Sequence, residues 1–142
     1  MGKSGLRKSA RLGLQALLAL GISTVSQADA PDWELVSTSE AGVSVYLDIN
    51  SVTVEPVTVH AWIKFVPSAR SNVPFRDAVA RWRIDCEADT QATISATSYG
   101  PNGEVRSTET NDARPGEPIV PGSYSATVRD LLCPLRRDRV PN

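Results

Sequence analysis

Residues 120–134 read VPGSYSATVRDLLCP, and this stretch decides the fold, because its apolar residues recur at helical spacing while those of the preceding segments alternate. Tyr124, Val128, Leu131, Leu132 and Leu135 fall on one helical stripe. Ser123 is the expected N-cap, since its hydroxyl can accept a hydrogen bond from an open amide of the first turn. Pro134 lacks an N–H and is expected to end regular helix before Leu135. With two cysteines in the chain, Cys133 has Cys86 as its one possible intramolecular partner. A bond between them would fasten the terminal helix to the element that carries Cys86.

That element reads as a strand. Over Arg76–Cys86, Ala78, Ala80, Trp82, Ile84 and Cys86 share one face, with Val79, Arg81, Arg83 and Asp85 opposite. The clearest strand is Val57–Val66, with Val57, Val59, Ala61, Ile63 and Phe65 on a core face and Thr58, His60, Trp62 and Lys64 on a mixed one. Val43–Asp48 alternates in the same way, placing Val43, Val45 and Leu47 opposite Ser44, Tyr46 and Asp48. Trp33–Ser37 is a short strand, and Val52 with Val54 a brief strand or extended link. Gln91–Tyr99 and Glu104–Glu109 form a hairpin through Gly100, Pro101, Asn102 and Gly103. Ser39–Gly42 is a turn, and Pro67–Pro74 and Asn111–Pro118 are loops, the first expected to be mobile. The expected class is α+β: an antiparallel sheet of about six strands with a C-terminal helix linked to it by a disulfide.

At the N-terminus Lys3, Arg7, Lys8 and Arg11 precede an apolar run from Leu12 to Ile22 and then small and polar residues, the layout of a secretory signal. Residues 1–28 are expected to be removed, leaving residues 29–142 as a single soluble domain, with the periplasm as its expected location and the cell surface as the alternative. The apolar run is shorter than the ~20 residues of a resident membrane helix. Four basic residues leave with the leader while all sixteen acidic ones stay, so a net charge of −1 becomes −5. A net-acidic domain with scattered charge has no electrostatic footprint for nucleic acid. Export also favours oxidation of Cys86 and Cys133. Closing that loop stabilises by about 4 kcal/mol on the chain-entropy account.

Trp33, Val45-Tyr46-Leu47-Asp48, Val59 through Lys64, Trp82 through Cys86, Tyr99 before Gly103, and Ile119 through Ser123 with Cys133 follow one another in an order that resembles the surface-adhesin protein E-like domain family of Gram-negative bacteria. The resemblance spans nearly the whole of residues 29–142, and its most specific parts are the Pro121-Gly122-Ser123 helix start and the spacing of the two cysteines. It implies an antiparallel sheet with a C-terminal helix held by a Cys86–Cys133 disulfide. The family's namesake is a lipid-anchored adhesin that binds host extracellular proteins. No cysteine lies near the expected cleavage site for lipid attachment, so the chain resembles the family's unanchored members.

Tyr46, Trp62, His60 and Lys64 form the candidate binding surface, because two aromatics on the polar faces of neighbouring strands, beside a histidine and a lysine, suit a protein interface. His60 is the one histidine in the chain, and no nucleophile motif such as Gly-x-Ser-x-Gly accompanies it. Asp48 and Asn50 lack the further oxygen ligands and closing glutamate of a calcium loop and read as turn-capping residues. Arg81 and Arg83 read as a solvated strand face, and Arg136, Arg137 and Arg139 as a frayed basic tail. The sequence carries neither a zinc set nor paired carboxylates, so neither a metal nor another cofactor is expected and a hydrolase is disfavoured. The preferred reading is an exported non-catalytic binding or adhesin-like module using a sheet face or the Pro67–Pro74 loop, with a protein partner. The alternative is a periplasmic inhibitor or envelope accessory protein.

Overall fold

The computed structural model of the protein describes residues 29–139; the leader expected over residues 1–28 lies outside them. Eight strands form one antiparallel sheet: β1 (Trp33–Thr38), β2 (Val43–Asp48), β3 (Thr53–Val54), β4 (Thr58–Pro67), β5 (Asp77–Asp85), β6 (Thr90–Tyr99), β7 (Val105–Thr110) and β8 (Glu117–Pro118). They occupy six positions in the order β1-β2-β4-β5-β6-β7, with β3 pairing the start of β4 beyond β2, and β8 pairing the start of β6. Each long strand therefore neighbours the one before it, as short hairpin connections require. The pair β8 was expected as loop. Its two residues carry no alternation to read, and they become strand only because Gln91 and Thr90 offer an edge.

The core lies on one face. Val45, Leu47, Val59, Ala61, Ile63, Ala80, Trp82 and Ile84 project from β2, β4 and β5 against Ala126, Val128 and Leu132 of the helix α1 (Tyr124–Arg139). Each buried Val, Leu or Ile side chain of this set stabilises the fold by roughly 1.5–3 kcal/mol relative to exposure. Val57, expected in this core, is exposed, because β4 starts one residue later and Val57 belongs to the turn after β3. The helix stripe is also rotated from expectation. Val128 and Leu132 are buried and Ala126 joins them, whereas Leu131 and Leu135 are exposed. Tyr124 stacks on Trp82 with ring centres 6.0 Å apart and meets Phe65 edge-on at 5.7 Å.

Ser123 caps α1 as expected: its Oγ accepts the Ala126 N–H at 3.2 Å. The approach is a turn in which the Ser123 N–H donates to the Val120 carbonyl, with Pro121 at its second position and Gly122 at its third in the left-handed region, φ 78°. That is the turn in which proline presets one φ and glycine supplies the other. The helix does not stop at Pro134, which lies within it. Tertiary contacts on both sides of the proline override its local preference. Cys133 is joined to Cys86, and the Arg136 guanidinium donates to the Pro56 carbonyl at 2.6 Å and to Glu87 at 2.8 Å. Arg136 is thus a clamp between two turns of the sheet and no frayed tail.

Two loops are tied down. Arg83 donates to the backbone carbonyls of Asp112 and Arg114, drawing the β7–β8 connection across Ala92 and Ile94, which are buried outside the main core. Arg83 is therefore a loop anchor, unlike the exposed Arg81 beside it. The Pro67–Pro74 segment is fixed at its first end by the Ser68 N–H on the Gly42 carbonyl and at its last by Arg106 on the Pro74 carbonyl.

Candidate binding face

Alternation along β4 sends Val59, Ala61 and Ile63 into the core and leaves His60, Trp62 and Lys64 on the opposite face. Pairing supplies the rest of that face. Tyr46 of β2 lies directly opposite Lys64, and Leu35 of β1 opposite Tyr46. Trp62 pairs with Arg81 and His60 with Arg83. The four residues singled out in the sequence are thus brought onto one surface, on the side of the sheet away from α1. Trp62 is exposed, while Tyr46, Lys64 and His60 are half-buried by their neighbours.

Trp33 belongs to the same face and escaped the sequence reading. The Lys64 ammonium lies 5.7 Å from the centre of its ring, close enough for a cation–π attraction. Folding the Ser39–Gly42 turn back so that β1 opposes β2 would have predicted this, since it sets Trp33 against Asp48. The result is a row of aromatic and cationic groups: Trp33, Lys64 and Tyr46, then Trp62 with Arg81.

Asp48 lies within this row, paired with Trp33 and one position past the Leu47–Ile63 pair toward Trp62. It is buried, and its Oδ1 accepts the N–H of Asp32 at 2.9 Å and of Asn50 at 3.1 Å, capping the short 3-10 turn Ile49–Ser51. The Ser51 hydroxyl donates to the Asp48 carbonyl and accepts the Trp62 N–H, so this turn also fixes the backbone at Trp62. The turn-capping role expected for Asp48 is the observed one.

His60 lies two residues before Trp62 on β4, at one end of the face. Its Nε2 is 3.4 Å from the Thr58 hydroxyl and 3.7 Å from Glu55, whereas Nδ1 is buried without a partner. A catalytic relay needs the acid and the nucleophile on different ring nitrogens. Here both groups approach the same nitrogen, and Thr58 already donates to Glu55 at 2.9 Å. Burial lowers the His60 pKa below its ordinary 6.5; Glu55 opposes that shift, and Arg81 and Arg83 add to it. Neutral imidazole is the favoured form.

Among the described residues no group of three or more His, Cys, Asp or Glu side chains is arranged to hold a metal ion, and no helix is long and apolar enough to cross a membrane.

Known proteins share this architecture. A solved structure of Haemophilus influenzae protein E superposes with a TM-score of 0.51 at 12% identity, covering 80% of this chain and 93% of that one. A second crystal form of the same protein gives a TM-score of 0.51 at 12% identity over 78% of this chain and 94% of that one. At that identity the likeness is one of fold. No curated protein sequence matches the chain. The family model described as surface-adhesin protein E matches residues 33–134, from the first residue of β1 to Pro134 in α1. The chain belongs to the surface-adhesin protein E family.

Proposed function

We propose that this protein is an exported, non-catalytic binding module of the bacterial cell envelope, adhesin-like in mode, with the Trp33, Tyr46, Trp62 and Lys64 face as its contact surface. The observation that carries this reading is that three aromatic side chains and the cations Lys64 and Arg81 share one sheet face, with α1 on the other. Aromatic and arginine side chains supply most of the energy at protein interfaces, since they cover large areas at little entropic cost. Family membership supports an adhesin-like role, and a host extracellular protein is the partner class it suggests. The basic leader followed by an apolar run supports export.

Protease and antibody access to a C-terminal tag on intact cells, with a periplasmic protein as leakage control, tests the location. Access from outside is expected. Protection until the outer membrane is opened would place the partner in the periplasm and overturn the host-protein assignment in favour of an inhibitor or accessory role. Solid-phase binding to a panel of host matrix proteins tests the surface. Trp62→Ala and Tyr46→Ala should each weaken capture at least tenfold with folding intact, and capture unchanged in both would remove the face from the proposal.

A further inference from the structure

A second surface lies on the other side of β1. Between this strand and α1 runs a groove of about 610 Å³ lined by Val36, Leu47, Ile49, Val52, Leu131 and Leu135, with Glu34 and Leu35 at its rim. Leu35, Ile49, Leu131 and Leu135 are all exposed, so a large share of the open apolar surface converges on one trough. The rotation of the helix stripe leaves it open: Val128 and Leu132 go to the core and Leu131 and Leu135 do not.

The groove runs beside an open sheet edge. β1 pairs with β2 on one side and, among the described residues, with no strand on the other. The Ile49 N–H donates to the Asp32 carbonyl, which sets the phase of the β1–β2 ladder. In an antiparallel ladder this makes Trp33–Asp48 and Leu35–Tyr46 the non-hydrogen-bonded pairs, so the N–H and C=O of Trp33 and Leu35 point away from β2 toward the open edge. A helix or an acyl chain filling the trough would leave those backbone groups unused. An extended peptide uses both features at once, with main-chain bonds to the edge and alternate side chains dropped into the groove.

We propose that β1 and α1 form a docking groove for an extended peptide segment of a partner protein, which adds as a strand to the Trp33–Leu35 edge. Apolar residues at alternate positions fill the trough over Leu131 and Leu135. A lysine or arginine in the same segment meets Glu34, which forms no ion pair among the described residues. The bulge between Leu35 and Ser37 limits regular addition to a short stretch, and it disfavours a second copy of this chain, because self-pairing would set two bulges against each other.

The test uses a fluorescein-labelled, acetylated peptide of sequence Lys-Thr-Val-Thr-Val-Thr-Lys, whose valines and lysines share one face, followed by anisotropy and by amide exchange of the protein. Saturable binding is expected, with the Leu35 amide slowed in exchange. N-methylation of alternate peptide amides should weaken binding at least tenfold. Leu131→Glu and Leu135→Glu should do the same; both residues are exposed, so circular dichroism and melting should stay unchanged. Trp62→Ala should leave peptide binding intact, which separates this groove from the aromatic face. Binding that survives N-methylation would show side-chain insertion without strand addition and overturn the proposal. So would absence of binding at millimolar peptide, or a concentration-dependent dimer abolished by Leu35→Glu.

Discussion

The carboxylate of Asp48 accepts the backbone N–H of Asp32, sixteen residues earlier, and this one bond ties the segment before β1 to the end of β2. The same oxygen caps the turn that positions Trp62, so the residue serves the entry of the chain and the aromatic face together. Asp48→Ala should lower stability by about 1–3 kcal/mol, the cost of leaving buried amides without their acceptor. Urea unfolding measures it, and a loss under about 0.5 kcal/mol would show that water replaces the carboxylate.

Cys86 and Cys133 are joined across 47 residues and bring α1 to the end of β5. Reduction, or the double change Cys86→Ser with Cys133→Ser, should lower the melting temperature by more than about 10 °C, since about 4 kcal/mol is a large share of the stability of a domain this size. Calorimetry with and without reductant decides it. An unchanged transition, or two titratable thiols in the protein purified without reductant, would contradict the bond.

His60 makes stability depend on pH. Its folded pKa is below the 6.5 it has when unfolded, so its contribution is complete above that value and is lost as pH falls through the folded pKa. Glu55 faces the ring from the β3–β4 turn, and Arg81 and Arg83 face it from β5. Denaturant midpoints should therefore fall between pH 7 and pH 5, and His60→Gln should flatten that slope. Equal slopes in the two proteins would assign the pH dependence to carboxylates elsewhere.

Pro134 interrupts a helix that continues to Arg139. Replacing it with alanine restores an N–H for the Asp130 carbonyl and removes the ring from the turn, so Pro134→Ala should raise stability by about 1–3 kcal/mol. Helical ellipticity should rise as well. A loss of stability would show that the proline sets the angle at which Cys133 reaches Cys86.

Period-two alternation made β2, β4 and β5 legible to within a residue, because their core faces carry an unbroken series of apolar side chains. It placed His60, Trp62 and Lys64 together for the same reason. The misses share another cause. Val57, Pro134, Arg83 and Arg136 carry local signals for strand, helix end, solvated face and frayed tail. Val57 falls in the turn between β3 and β4, and the other three are reassigned by a partner distant in sequence, a disulfide or a backbone carbonyl. Trp33 could be placed only through pairing across the β1–β2 turn, and the apolar groove only through the rotation of α1, which turns on the packing of Val128 and Leu132.

The helix that covers the core is the last element the structure describes, and this gives the fold a direction in time. A chain emerging N-terminus first can pair β1 through β8 while Val45, Ile63 and Trp82 are still uncovered and Cys86 is still a thiol. The sheet alone is thus a sticky, reduced species, and the cover and the oxidation arrive together with residues 124–133. Until residues 124–133 join, a stalled or truncated chain leaves both an apolar sheet face and the Cys86 thiol uncovered, and an oxidant that reaches Cys86 early finds no intramolecular partner for it.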